Sequence, residues 1–242
     1  MLTDIKQRTD KIGADIHTHI LPEIDDGARD CDESIRIIEA QRNMGVTDLV
    51  FTPHFYMSEI SVEDFLICRD LAFKKLSEKI GEMGLFEDMR FHLGAEVRYD
   101  PNLIRTDLKK LCIGETSYLL LEPTASFPFN FENTLDYMLS KGITPVIAHI
   151  ERYDYLLKDK KFLDKLLDSG VVLQCNASAV FGKYRSKTAV NLIKQGYVGI
   201  IASDCLDPQN RPPMLADAYS ALKKEGQRLI NNSIKLINDR LF

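Results

Sequence analysis

Short apolar runs alternate with longer amphipathic stretches along most of the chain. The pattern predicts strands at Ala14–Ile20, Asp48–His54, Arg90–Val97, Tyr118–Thr124, Thr144–Ile150, Val171–Ser178 and Val198–Asp204. These runs are rich in Val, Ile and Leu and are often preceded by Gly or Pro, as buried strands are. The stretches between them carry helical spacing. In Asp32–Met44, for example, Ile35, Ile37, Ile38 and Ala40 alternate with Glu and Arg. Further helices are predicted within Val62–Met83, Asn130–Leu139, Lys161–Leu167, Lys187–Gln195 and Met214–Lys224. Seven buried-type strands alternating with helices predict a parallel sheet covered by helices. For a single domain of this length a closed barrel is the economical arrangement, with an open doubly wound sheet as the alternative. No GxGxxG follows the first run, which removes the main support for a dinucleotide-binding sheet.

The polar residues within this pattern are concentrated at the C-terminal ends of the runs. The first run carries Asp15-Ile16-His17-Thr18-His19, where His17 and His19 share a face by their spacing of two. The second ends in His54, the third in Glu96 and the fourth in Glu122. The fifth ends in His149-Ile150-Glu151-Arg152 and the seventh in Asp204. In a parallel barrel these ends form the face on which active sites are built. Desolvating imidazoles and carboxylates without partners is costly. Four of the five histidines and three acids converging on one rim are most simply satisfied by divalent cations. A donor set of imidazole and carboxylate without thiolate suits manganese, iron or zinc rather than a structural zinc site. The fifth histidine, His92, reads as a hydrogen-bonded structural residue.

Composition changes this picture only by exclusion. The 242 residues suffice for one large domain, and a net charge of −5 gives no footprint for nucleic acid or an anionic membrane. No apolar run reaches the roughly 18 residues of a membrane span, and the polar N-terminus has no signal-peptide core. Cys31, Cys68, Cys112, Cys175 and Cys205 are scattered and form no CxxC pair, so a reducing cytoplasm is expected.

The segments DIHTHILPEIDDG, TPH, GAEVRY, LLLEP, TPVIAHIERYD and ASD followed by NRPP together resemble the PHP phosphoesterases. More narrowly, the chain is similar to the metal-dependent protein-tyrosine phosphatases of bacterial capsule and exopolysaccharide operons. The resemblance runs from about Asp15 to the last helix, and HIERY and the late RPP are its specific parts. It implies an α/β fold, a distorted (β/α)7 TIM-like barrel in a single domain at 15–242, with residues 1–14 an N-terminal extension. It also implies two to three divalent metal ions, manganese first, with iron, cobalt or zinc as alternatives. Carried over residue by residue, His17, His19, Glu96 and Asp204 would bind one ion, with Glu96 bridging to a second completed by Glu122 and His149. Asp26, rather than Asp25, and His54 would hold a third, and Arg152 and Arg211 would hold phosphate. The implied substrate is the phosphotyrosine tail of a bacterial tyrosine kinase controlling polysaccharide synthesis. A small-molecule phosphatase acting on a substrate such as histidinol phosphate is the enzymatic alternative.

One position departs from the family pattern. Leu206 stands where a histidine is expected two residues after Asp204, so the third ion keeps two protein ligands at best. Asp207 or water is the expected substitute, ahead of Cys205. The departure also opens a further alternative, a catalytically degenerate protein that binds phosphotyrosine or the kinase. The chain is read as lacking a cysteine-phosphatase loop of the C-x5-R type, so any activity is expected to run through metal.

Overall fold

The computed structural model describes residues 12–239. Residues 1–11 of the expected N-terminal extension lie outside the described residues. The strands are β1 (Gly13–Asp15), β2 (Val46–Phe51), β3 (His54–Phe55), β4 (Arg90–Leu93), β5 (Glu96–Arg98), β6 (Tyr118–Glu122), β7 (Thr144–Ile147), β8 (Val172–Asn176) and β9 (Ile200–Ala202). Every pairing between them is parallel.

The seven expected runs therefore appear as nine strands in two ladders, β1-β2-β4 and β3-β5-β6-β7-β8-β9. The run 48–54 is interrupted at Thr52-Pro53, where proline has no N–H to give to a ladder. The run 90–97 is interrupted at Gly94-Ala95. Hydrogen bonds from Gly94 N to Phe51 O (2.9 Å) and Glu96 N to Pro53 O (3.0 Å) carry the chain across both breaks. After β1, residues 17–19 are bonded on two sides. Asp204 N donates to His17 O and His19 N to Cys205 O, both at 2.9 Å, and Thr52 N donates to Thr18 O at 3.0 Å. The result is one α/β domain around a curled parallel sheet.

Residues alternate between two apolar layers, as the pleat requires. Ala14, Ile16, Val50, Leu120, Val146, Ala148, Ile200 and Ala202 pack together on the concave side. Leu49, Phe51, Leu119, Leu121, Ile147, Leu173 and Ile201 face the other way, into the core beneath the helices. Two of those helices flank the first ladder. Helix α1 (Cys31–Asn43) is capped by the Asp30 side chain accepting from Glu33 N, and α2 (Val62–Met83) is capped by Ser61 and ends at Gly84 in the left-handed region. The alternation carries polar side chains to the concave side too. Register pairs His54 with Glu96, Glu96 with Leu120, and Arg98 with Glu122, and paired residues of parallel strands face the same side.

His92 lies on β4, away from these strand ends. Its Nε2 is 3.0 Å from Asp48 Oδ1 on β2, and the Arg90 guanidinium grips the same carboxylate through two contacts of 2.7 Å. Burial raises the Asp48 pKa, but these partners outweigh it and hold the carboxyl well below the usual range. A depressed folded-state pKa stabilises above the unfolded value of 3.8 and is lost as pH falls toward the folded one. The stability difference between wild type and Asp48→Asn, measured by urea unfolding, is therefore expected to be complete at pH 6–7. It should shrink steadily once pH drops below that unfolded value; a pH-independent difference would remove this assignment.

Candidate metal centre

At the C-terminal end of the sheet four donor atoms face one point. His17 Nε2 and His19 Nε2 are 3.3 Å apart, and each is 3.3 Å from Glu96 Oε2. Asp204 Oδ1 is 3.6 Å from the first nitrogen and 3.5 Å from the second. Donors bound roughly 2.0–2.2 Å from one ion stand about 2.9–3.6 Å apart, depending on coordination number. All four residues are buried. Burial lowers the pKa of both imidazoles, yet the carboxylates around them raise it overall. Converging lone pairs and anionic oxygens of this kind call for a cation at their centre.

The polar atoms behind this cluster determine which ring nitrogen is free. Gln174 Oε1 accepts from His149 N at 2.7 Å and its Nε2 donates to Asn176 Oδ1 at 2.9 Å, which orients the amide. The same Oε1 lies 3.3 Å from His17 Nδ1, so that nitrogen carries the proton and Nε2 keeps its lone pair. Asp25 Oδ2 does the same for His19, accepting from Nδ1 at 2.7 Å. Asp25 thus orients a histidine, and its neighbour Asp26 is the one that approaches His54, with Oδ1 3.4 Å from Nε2. Gly27 keeps this loop against the first strand. A Cβ at Gly27 would lie 2.0 Å from His19 O, too close for any other residue without moving the loop.

A second set surrounds the other Glu96 oxygen. Oε1 is 2.8 Å from His149 Nε2, which is 3.8 Å from Glu122 Oε1. Tyr153 Oη is 3.2 Å from His149 Nδ1 and accepts its proton when Nε2 serves as donor atom to a cation. His54 Nδ1 lies 2.9 Å from Glu96 Oε2 but off the line of a hydrogen bond, and among the described residues neither it nor Glu122 Oε2 has a hydrogen-bond partner. Both are buried, and such orphans are rare unless an ion or water completes them. Three overlapping groups of ligand atoms result: His17, His19 and Glu96; His54, Glu96 and Glu122; and His19, Asp26 and His54. The donors fit a cluster of divalent cations.

Backbone conformation also contributes. His149 (φ 32°) and Asp204 (φ 50°) are in the left-handed region, where non-glycine residues are strained and cluster at functional sites. Each stands two residues beyond a strand end, His149 after β7 and Asp204 after β9, and its side chain joins the cluster at the mouth of the sheet. Asp204 divides its oxygens. Oδ1 faces the two histidines, while Oδ2 accepts from Arg152 Nη2 and Asn176 Nδ2 (both 2.6 Å); Arg211 Nη2 donates to the Asp204 backbone O (3.0 Å) and forms an ion pair with Oδ2 at 2.5 Å. Burial raises its pKa, but His17, His19 and Arg152 outweigh that and hold it far down. The arginines border a cavity of about 900 Å³ that also includes Asn176, Phe181, Lys183 and Tyr184.

Every predicted site residue lies at this end of the sheet. Sequence reasoning missed Gln174, Asn176 and Arg98, whose Nη1 is 2.8 Å from Glu122 Oε1. The available signal was Gln174 and Asn176 at alternate positions in the one predicted strand that ended in neither acid nor histidine.

Two expectations around Leu206 need revision. Asp207 Oδ1 accepts from Gln209 N (2.8 Å) and Asn210 N (2.7 Å), closing its own turn, and Asp207 belongs to none of the convergent groups of ligand atoms among the described residues. The reading that no C-x5-R spacing occurs is corrected as well: Cys205 and Arg211 stand in that spacing. The Cys205 thiol is fully buried, sits 3.6 Å from Gln41 Nε2, and is pushed up to about 12 by burial. A nucleophilic cysteine needs the opposite environment, electropositive and open to substrate.

Comparison with known proteins agrees with this geometry. Residues 13–240 match the family model described as capsular polysaccharide synthesis, CpsB/CapC. The tyrosine-protein phosphatase CpsB of Streptococcus pneumoniae is 31% identical, with 94% of this chain and 99% of that protein covered. The putative tyrosine-protein phosphatase CapC of Staphylococcus aureus is 30% identical, with 94% and 92% covered. Among solved structures, one from work on YwqE of Bacillus subtilis and CpsB of Streptococcus pneumoniae, described as unique metal-dependent tyrosine phosphatases, shares the fold. Its TM-score is 0.83 at 24% identity, over 95% of this chain and 96% of that one. The lactonase Lmo2620 of Listeria monocytogenes is a more distant likeness in fold, with TM-score 0.55 at 11% identity over 94% and 95% of the two chains.

Since Glu96 faces four imidazoles whereas the Asp26 side chain is 64% exposed, the two should differ in their effect on metal binding. Manganese at about 100 times its dissociation constant is expected to raise the wild-type Tm by roughly 5–10 °C. Differential scanning fluorimetry should find most of that rise lost in Glu96→Gln and most of it kept in Asp26→Asn. A full rise in Glu96→Gln would refute the bridging role.

Proposed function

Because the chain belongs to the CpsB/CapC family, we propose that it is a metal-dependent tyrosine-protein phosphatase that hydrolyses phosphotyrosine. The observation that carries this reading is Asp204, one oxygen facing the histidine pair and the other held by Arg152 and Arg211 at the edge of a large cavity. Cations and guanidinium groups are thereby brought within one side chain of each other, as phosphoryl transfer requires.

His17, His19, Glu96 and Asp204 would hold one ion, Glu96, Glu122 and His149 a second, and Asp26 with His54 a weaker third. When bound, divalent cations supply activation of water near neutral pH and positive charge for phosphoryl oxygens. The chain's own residues do the rest. Gln174 and Asp25 fix the imidazole tautomers, and Asn176 with the two arginines fixes the carboxylate of Asp204. The Arg152 and Arg211 side chains are 44% and 36% exposed, and the planar fork of each can take two phosphate oxygens from the cavity side. The leaving phenolate, with a pKa of about 10, departs with less help than an alkoxide needs, so phosphotyrosine best tolerates a third site weakened by Leu206.

We read the curled sheet as a distorted seven-stranded barrel of the PHP type. Support comes from the two interrupted runs and from the hydrogen bonds joining residues 17–19 to 204–205. Manganese is the proposed metal, supported by the mixed imidazole and carboxylate donors. The proposed substrate is the phosphotyrosine tail of a bacterial tyrosine kinase in capsule or exopolysaccharide synthesis. A cytoplasmic site of action is supported by five free cysteines. Among the described residues no helix is long and apolar enough to cross a membrane.

Phosphate release from a phosphotyrosyl peptide tests the reading. Metal-stripped protein should be inactive, manganese should restore release, and His149→Ala should lower it by about a hundredfold or more. Leu206→His is expected to raise the rate. Release in Leu206→His with none from the manganese-loaded wild type would instead identify a degenerate, phosphotyrosine-binding protein.

A further inference from the structure

The cavity beside Arg152 and Arg211 is also lined by Phe181, Lys183, Tyr184 and Ser186, which belong to the segment Phe181-Gly182-Lys183-Tyr184-Arg185-Ser186-Lys187. Gly182, at φ 94°, starts a turn closed by Arg185 N donating to Gly182 O, and Ser186 caps the helix that follows. The turn projects its side chains outward: Tyr184 is 64% and Phe181 41% exposed, and Lys183, Arg185 and Lys187 are all exposed.

Three cations within five residues, on a chain of net charge −5, stand out because of what they lack. Among the described residues none of the three forms an ion pair, and Lys183 merely lies over the Tyr184 ring, 5.5 Å from its centroid. The acids bordering the same cavity are already engaged. Asp204 is held by Arg152 and Arg211, and Glu151 faces the backbone N–H of Asn176. Like charges held together without counter-ions are unfavourable unless an anion visits them.

We propose that the 181–187 turn recognises acidic residues flanking the phosphotyrosine, making the chain selective for anionic peptide segments. This rests on the phosphotyrosine reading above. The arginines take the phosphate, the exposed rings of Phe181 and Tyr184 offer apolar surface to the peptide, and Lys183, Arg185 and Lys187 meet carboxylates or further phosphates along it. A peptide is favoured over a lipid surface because the turn opens into the cavity that holds the phosphate-binding arginines.

The test uses two fluorescent peptides carrying phosphonomethyl-phenylalanine, a non-hydrolysable stand-in for phosphotyrosine, one flanked by Asp and Glu and the other by Ser and Ala. Fluorescence anisotropy with manganese-loaded protein at low salt should show the acidic peptide bound about tenfold more tightly. The triple variant Lys183→Ala, Arg185→Ala, Lys187→Ala should reduce that preference to about twofold or less while leaving the neutral peptide's affinity unchanged. Equal wild-type affinities, or a preference that survives the triple substitution, would overturn the proposal. So would co-sedimentation with phosphatidylglycerol vesicles that depends on the three cations when peptide selectivity is absent. Turnover of p-nitrophenyl phosphate by the wild type, measured alongside, reports on the phosphatase reading separately, since that small substrate has no flanks.

Discussion

Glu96 is 1% exposed, and its two oxygens face His17, His19, His54 and His149. Most of the site follows from how such a carboxylate can exist in the interior. Burial by itself drives its pKa up, and the surrounding imidazoles bring it well below the usual range. A buried charge without compensation is costly, so each neighbour must either bring a proton or share a cation with it. The outer hydrogen bonds favour the second solution. Asp25 and Gln174 place protons on the outer nitrogens of His19 and His17, leaving the inner nitrogens as lone-pair donors.

Such an arrangement stores strain and spreads its support widely. His149 and Asp204 leave their strands in left-handed conformations, and the Gly27 turn presses against His19 more closely than any side chain allows. The hydrogen bonds that join residues 17–19 to residues 204–205 pass through His17 and His19 themselves. Site and fold are therefore coupled: the residues that would hold cations also tie the first strand to the last. Arg152 and Arg211 belong to the same network, because each neutralises the outer oxygen of Asp204 while facing the cavity.

The electrostatics of the rim complement this interior. Acids are gathered inward around the candidate metal centre, whereas the cavity edge presents Arg152, Arg211 and the basic turn after Phe181. An overall negative charge thus coexists with a locally positive approach to the site.

Much of this was legible in the residues alone. The alternation of apolar runs with helical spacing established a parallel α/β sheet, since buried strands and amphipathic helices have different periods. The repeated placement of His, Glu and Asp at run ends pointed to the candidate site, because parallel strands deliver all their C-terminal ends to one face. What the sequence could not decide is which atoms meet. Strand register put Arg98 beside Glu122 and brought Gln174 and Asn176 toward His17 and Asp204; register is a relation between segments distant in the chain. The choice between Asp25 and Asp26 depended on the path of one loop, and the neighbouring Cys205 and Arg211, six residues apart, proved to face different surroundings. Residue type and spacing determined the chemistry available at the rim. Tertiary packing alone decided which side chains converge, which ones orient them, and which are turned away, because those relations depend on distances and directions that only the folded chain sets.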